Sequence, residues 1–199
     1  MRLVIAITGS SGVIYGIRIL EVLKRLKIDT HLIITKWGAK NIKIETDSTV
    51  DYVKSLATRS YEDDNMAAPV SSGSFKVDGM IVIPCSTKTL ASIANALDDS
   101  LVSRAAGVCI KEQRKLVLVP RETPLSKIHL KNMTKLASTS AVILPAMPGF
   151  YHRPKTMDDL INHLVGKVLD QFNIEHRLFK RWGEEGYQKE ILKVENKDS

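Results

Sequence analysis

Leu116-Val-Leu-Val-Pro-Arg121-Glu122-Thr-Pro124 decides how this chain is read. An apolar, β-branched run breaks off abruptly at Pro, Arg and Glu. That is a short buried strand ending in a stiff loop. A second stretch repeats the pattern: Ala141-Val-Ile-Leu144 runs on to Gly149-Phe-Tyr151-His-Arg-Pro154. In an open parallel sheet, ligands bind at the carboxyl ends of strands. An Arg–Glu pair at one such end and a Tyr at another predict a site for an anion, with acid–base chemistry attached.

Working outward, strand and helix patterns alternate. Leu3 to Thr8 is a β-branched run ending at Gly9-Ser10-Ser11-Gly12, followed by a helix with Val13, Ile17, Leu20 and Leu23 on one face. Thr30 to Thr35 predicts a second strand, with helices from about Trp37 to Thr46 and Ser48 to Ala57. Thr58 to Phe75 reads as irregular. Gly79–Pro84, Lys115–Val119 and Ser140–Leu144 are predicted strands. Helices are predicted at Thr87–Asp98, Asp99–Lys111, Leu125–Ala137 and Thr156–Phe172. This alternation argues for an α/β fold with a mostly parallel sheet covered on both faces.

The 199 residues suit one α/β domain, with a frayed, charged tail from about 193. No apolar run reaches the roughly 18 residues of a membrane helix, and the first one is too short for a signal peptide. A cytoplasmic protein with no membrane partner is expected. The formal net charge of +7 comes from dispersed Lys and Arg. Attraction to small phosphorylated ligands explains it without a nucleic-acid partner. Cys85 and Cys109 lack metal-ligand spacing and read as buried, reduced thiols, so no metal is expected.

Several strand-to-helix junctions carry hydroxyls. Gly9, Gly12 and Gly16 match neither the dinucleotide fingerprint nor a phosphate-binding P-loop. Gly9-Ser10-Ser11-Gly12 still offers backbone N–H groups and hydroxyls to an anion; the alternative is a tight turn with a Ser cap. Pro84-Cys-Ser86-Thr87-Lys88-Thr89 reads either as a helix cap or as a phosphate cradle, and Thr35-Lys36 joins the same rim. Arg104 and Lys111 share a helix face that a solvated basic surface would also explain. Glu45 fits a surface helical charge as well as a functional one. Glu122, held between Pro120 and Pro124, favours an acid–base role. Tyr151 and Lys167 divide evenly between structural and functional readings.

Taken together these segments resemble the UbiX/Pad-type flavin prenyltransferases. The matching elements are Thr8-Gly-Ser-Ser-Gly-x-x-Tyr-Gly16, Glu45-Thr-Asp47, Ser71-Ser-Gly-Ser74 and Pro84-Cys-Ser-Thr-Lys-Thr-Leu90. Further along come Arg104-Ala-Ala-Gly-Val, Lys111-Glu-Gln-Arg114, Leu118-Val-Pro-Arg-Glu-Thr-Pro124, Ile128-His-Leu-Lys-Asn-Met133 and Leu144-Pro-Ala-Met-Pro-Gly-Phe-Tyr-His-Arg-Pro154. The resemblance covers nearly the whole chain. It implies a three-layer α/β/α, Rossmann-like (flavodoxin-like) fold in a homo-oligomer, in the family usually a dodecamer. The implied activity moves a dimethylallyl group from dimethylallyl phosphate to N5 and C6 of reduced FMN. The product serves a UbiD-type decarboxylase, including in ubiquinone biosynthesis.

Carried over by position, Gly9, Ser10, Ser11, Thr35, Ser86, Thr87, Lys88, Thr89 and Arg121 would bind FMN. Tyr151 and Lys167, with Lys111 and Arg104, would hold dimethylallyl phosphate. Glu122 would be the acid–base group near the departing phosphate, and Glu45 with Ser11 would manage the proton lost at the flavin. Thr35 stands where many members have Ser, retaining the hydroxyl. Asn65 stands in a region where some members carry Trp, which leaves the wall of the allyl pocket open. The alternatives are an FMN-binding carrier for a decarboxylase and a flavin-dependent decarboxylase. A carrier would have no need of both Glu45 and Glu122.

Overall fold

A computed structural model describes Met1–Gly183. The expected frayed tail from 193 lies outside the described residues. Strands and helices alternate as β1 (Arg2–Ile7), α1 (Val13–Arg25), β2 (Asp29–Ile34), α2 (Lys36–Glu45), α3 (Val50–Ser55), β3 (Arg59–Glu62), β4 (Gly79–Cys85), α4 (Thr87–Ala94), α5 (Leu101–Lys111), β5 (Lys115–Pro120), α6 (Lys127–Ala137), β6 (Ala141–Ile143) and α7 (Met157–Asp170). The chain divides into two compact units. Met1–Ala146 holds the sheet and α1 to α6, and the unit from Met147 onward holds α7.

All strand pairings are parallel, in the order β3-β2-β1-β4-β5-β6. Strands buried on both faces must be apolar throughout, and β4 is buried at every residue. On one face Val4, Ala6, Met80, Val82, Leu116 and Leu118 pack with Leu90, Leu101, Ala105 and Leu136 from α4, α5 and α6. Leu3, Ile5 and Ile7 alternate with these and are equally sealed. The apolar positions of α1 fall where the sequence puts them: Val13, Ile17, Leu20 and Leu23 are all buried.

Two expectations need correction. The stretch 58–75 is not wholly irregular, because β3 lies within it and pairs with β2. Arg59, Ser60 and Glu62 are exposed, so this edge strand carries no alternation to betray it. Helix α4 stops at Ala94 rather than reaching Asp98, and Ala96 adopts φ 53°, where a right-handed helix cannot continue.

The chain starts mid-sheet, builds outward to β3, then returns to place β4 on the other side of β1. β1 therefore flanks the switch point, and the carboxyl ends of β2, β1, β4 and β5 line one edge of the sheet.

Candidate functional site

Four junctions meet along that edge. Thr8, fully buried at the end of β1, holds two of them in register. Its hydroxyl donates to the Pro84 carbonyl at 2.7 Å and accepts the Ser86 amide at 2.8 Å. The Thr35 amide likewise donates to the Ile7 carbonyl at 3.0 Å, tying the end of β2 to β1. The fourth junction closes on the first: Ser10 Oγ donates to the Arg121 carbonyl at 2.5 Å, and Arg121 Nε donates to the Ser11 carbonyl at 3.3 Å.

The cap reading holds for Ser86, and Thr35 is a helix cap as well. Each side chain accepts a first-turn amide, from Gly38 at 3.1 Å and from Thr89 at 3.2 Å. Capping does not exclude binding, since a hydroxyl that accepts from its helix retains a hydrogen to donate. Between these helix ends lies a cavity of about 360 Å³. It is lined by six predicted residues: Gly9, Thr35, Ser86, Thr87, Lys88 and Thr89. Helix N-termini, hydroxyls and a lysine are the donor set a phosphate-ended ligand requires. The size falls in the range typical of small-molecule sites, roughly 300–1,000 Å³, and these residues fit FMN.

Sequence reasoning missed five further lining residues, Trp37, Asp63, Asp99, Ser100 and Ser103. Ser100 caps α5 in a capping box with Ser103. Asp63 Oδ1 accepts the Val102 amide at 3.0 Å, and burial raises its carboxyl above the ordinary range despite that bond. Ser100, three residues before Ser103 at a helix start, was a legible signal. Asp63, in a stretch read as irregular, gave none.

Glu45, the last residue of α2, reaches back to the first turn. Its Oε2 accepts the Gly12 amide at 2.8 Å and the Val13 amide at 3.3 Å. Gly12, at φ 101°, begins α1 without a side-chain cap, so Glu45 supplies one from a distance. The structure thus brings Glu45, Ser10, Ser11 and Arg121 to one turn. Glu122 is exposed beside them, and its carboxylate accepts the Thr123 amide at 3.1 Å. Arg104 and Lys111 do not line the cavity. Arg104 donates to the Ser71 carbonyl at 3.0 Å and to Asp98 at 2.9 Å, and Lys111 bonds Glu112 at 2.9 Å.

In the unit from Met147, the Tyr151 hydroxyl lies 3.1 Å from His163 Nε2. Lys167, on α7, sits 3.8 Å from Asp170 Oδ2. Asp170 also takes hydrogen bonds from Arg181 at 2.7 and 3.1 Å and contacts His176 at 3.1 Å. Burial opposes ionisation of Asp170, but these bonds outweigh it and hold the carboxyl below the ordinary range. Among the described residues no helix is long and apolar enough to cross a membrane. None of their His, Cys, Asp and Glu groups is placed to hold a metal ion.

Residues 1–169 match the flavoprotein family model. The mitochondrial flavin prenyltransferase PAD1 of Saccharomyces cerevisiae is 52% identical over 181 residues, 91% of this chain and 75% of that protein. The crystal structure of AnUbiX (PadA1), in complex with FMN and dimethylallyl pyrophosphate, superposes with a TM-score of 0.90 at 49% identity, over 92% of this chain and 97% of that one. A dodecameric FMN-dependent UbiX-like decarboxylase from Escherichia coli O157:H7 gives 0.91 at 48% identity, over 92% of this chain and 100% of that one. An all-parallel sheet with hydroxyl-capped helices at its carboxyl edge and this degree of likeness together make the chain a member of the flavoprotein family, among its UbiX-type flavin prenyltransferases.

Proposed function

We propose that the chain transfers a dimethylallyl group from dimethylallyl phosphate to N5 and C6 of reduced FMN, closing a fourth ring, for use by a UbiD-type decarboxylase. The observation that carries this reading is the cavity between the capped ends of α2 and α4, walled by Thr35, Ser86, Thr87, Lys88 and Thr89. Arg121, stitched to Ser10 and Ser11, belongs to the same flavin-holding set. When bound, the reduced flavin supplies the nucleophilic nitrogen and carbon.

The remaining chemistry falls to the side chains. Breaking the allylic C–O bond leaves charge on the phosphate, which Tyr151 and Lys167 stabilise with help from Lys111 and Arg104. Glu122 delivers a proton to the departing oxygen, because an unprotonated monophosphate leaves poorly. Ring closure then adds C6 across the remaining prenyl double bond, so that one alkene carbon gains a proton as C6 loses one; Glu45, bonded to the Gly12 amide, and the neighbouring Ser11 carry that transfer. Enclosure keeps water from the allyl cation.

Assembly into a homo-dodecamer and residence in the cytoplasm belong to the same reading. The dodecameric Escherichia coli relative supports the first. The test is anaerobic incubation with reduced FMN and dimethylallyl phosphate, followed by mass spectrometry of the flavin. A gain of one five-carbon unit is expected; FMN that is bound but unchanged in mass refutes transfer.

A further inference from the structure

His163 lies on α7 one turn before Lys167 and is 5% exposed. The loop before the helix engages both of its ring nitrogens. The Gly149 amide donates to Nδ1 at 3.2 Å, and the Tyr151 hydroxyl lies 3.1 Å from Nε2. The fit is close: a Cβ on Gly149 would stand 3.1 Å from Tyr151 Cε1 and 3.3 Å from His163 Cε1. His152 stacks on the same imidazole, with centroids 4.7 Å apart and planes 6° from parallel.

These contacts select one tautomer. A backbone amide only donates, so Nδ1 must present its lone pair, and the hydrogen of a neutral ring then resides on Nε2. Nε2–H therefore donates to the Tyr151 oxygen. A hydroxyl that accepts from one side turns its own hydrogen toward a different acceptor. Burial first, then the neighbouring His152 and Lys167, hold His163 below the ordinary imidazole range against the pull of Asp170, so the ring stays neutral.

We propose that His163 is a positioning residue for the prenyl donor: by donating from Nε2 to Tyr151, it aims the Tyr151 hydroxyl hydrogen at a phosphate oxygen. This rests on the reading in which Tyr151 and Lys167 bind dimethylallyl phosphate. Lys167 supplies charge on the same helix face, and His163 supplies direction to its neighbour's hydroxyl.

Kinetics of His163→Phe, His163→Gln, Tyr151→Phe and the Tyr151→Phe/His163→Phe double variant test this. His163→Phe should raise KM for dimethylallyl phosphate about fivefold or more, the order of one hydrogen bond, with kcat changed less and FMN affinity unchanged. His163→Gln, which keeps a donor, should recover part of the loss. The double variant should be no worse than Tyr151→Phe alone, because His163 acts through that hydroxyl. Effects that multiply, or an unchanged KM in His163→Phe beside an impaired Tyr151→Phe, overturn the positioning role alone. An unchanged KM in Tyr151→Phe overturns the donor-site reading and this inference with it. Should His163→Phe not fold, Gly149→Ala displaces the same loop; a raised KM supports the role, and an unchanged KM overturns it.

Discussion

Glu45 Oε2 accepts the Gly12 amide at 2.8 Å, so the carboxylate that ends α2 also starts α1. This contact separates two roles that sequence alone left merged. Glu45→Ala should lower stability by about 1 kcal/mol, the usual cost of losing a helix N-cap. Glu45→Gln keeps an accepting oxygen and should melt near the parent protein. If Glu45 also takes a proton during ring closure, Glu45→Gln should still slow prenylation by about 10²-fold. Denaturant titration and single-turnover flavin mass spectrometry of the two variants distinguish cap from base.

Glu122 is exposed, and among the described residues its carboxylate accepts only the next amide. Its removal should therefore leave the fold intact. Glu122→Gln should bind FMN with unchanged affinity and prenylate it about 10²-fold more slowly or worse, as for loss of a general acid. Turnover equal to the parent's would remove Glu122 from the mechanism.

Acid should weaken the fold through His31. This side chain is 4% exposed, pairs with the Tyr61 hydroxyl at 2.8 Å and faces Asp29, Arg2, Arg59 and Phe75. Burial lowers its pKa below the ordinary 6.5, with Arg2 and Arg59 adding to the effect and Asp29 opposing it. The unfolded chain thus takes up the proton first. Stability from this group is complete above pH 6.5 and is lost as pH falls through the lower folded value. Urea midpoints should fall between pH 7.5 and 5.5, and His31→Gln should flatten that slope. A parent midpoint that does not fall with pH would refute this assignment.

Both thiols should be inert in the native protein. Burial pushes Cys85 up to about 12 and Cys109 up to about 11, the latter despite nearby Arg114. Thiolate is the reactive form, so iodoacetamide at pH 8 should label neither residue until denaturant is added. Intact-mass spectrometry reads the outcome directly; rapid native labelling would contradict the burial.

Much of this architecture was legible because buried parallel strands leave a plain trace. The runs ending at Thr8, Thr35, Pro84 and Val119 are legible as strands because both faces are covered and every interior position, His31 apart, is therefore apolar or β-branched. β3 escaped because an edge strand such as Arg59–Glu62 is held by backbone pairing, which any side chain permits. At the site, residues on strand-to-helix turns were found because Ser and Thr announce a helix start. The distant contacts were not. Glu45 meets Gly12 across 33 positions and Ser10 meets Arg121 across 111, separations at which local pattern carries no information.

Thr8 joins the ends of β1 and β4 through one buried hydroxyl that both gives and receives a hydrogen bond. Its hydrogen is committed to Pro84, one lone pair to Ser86, and the side chain is fully buried, so the hydroxyl is out of a ligand's reach. Its service is to the spacing between the Gly9 turn and the Ser86 turn. A molecule bridging those turns meets them already set apart at the working distance, so little ordering entropy is charged to binding. Substituting valine would preserve volume and cut both bonds, converting a rigid two-jawed gap into one that each incoming flavin must set for itself.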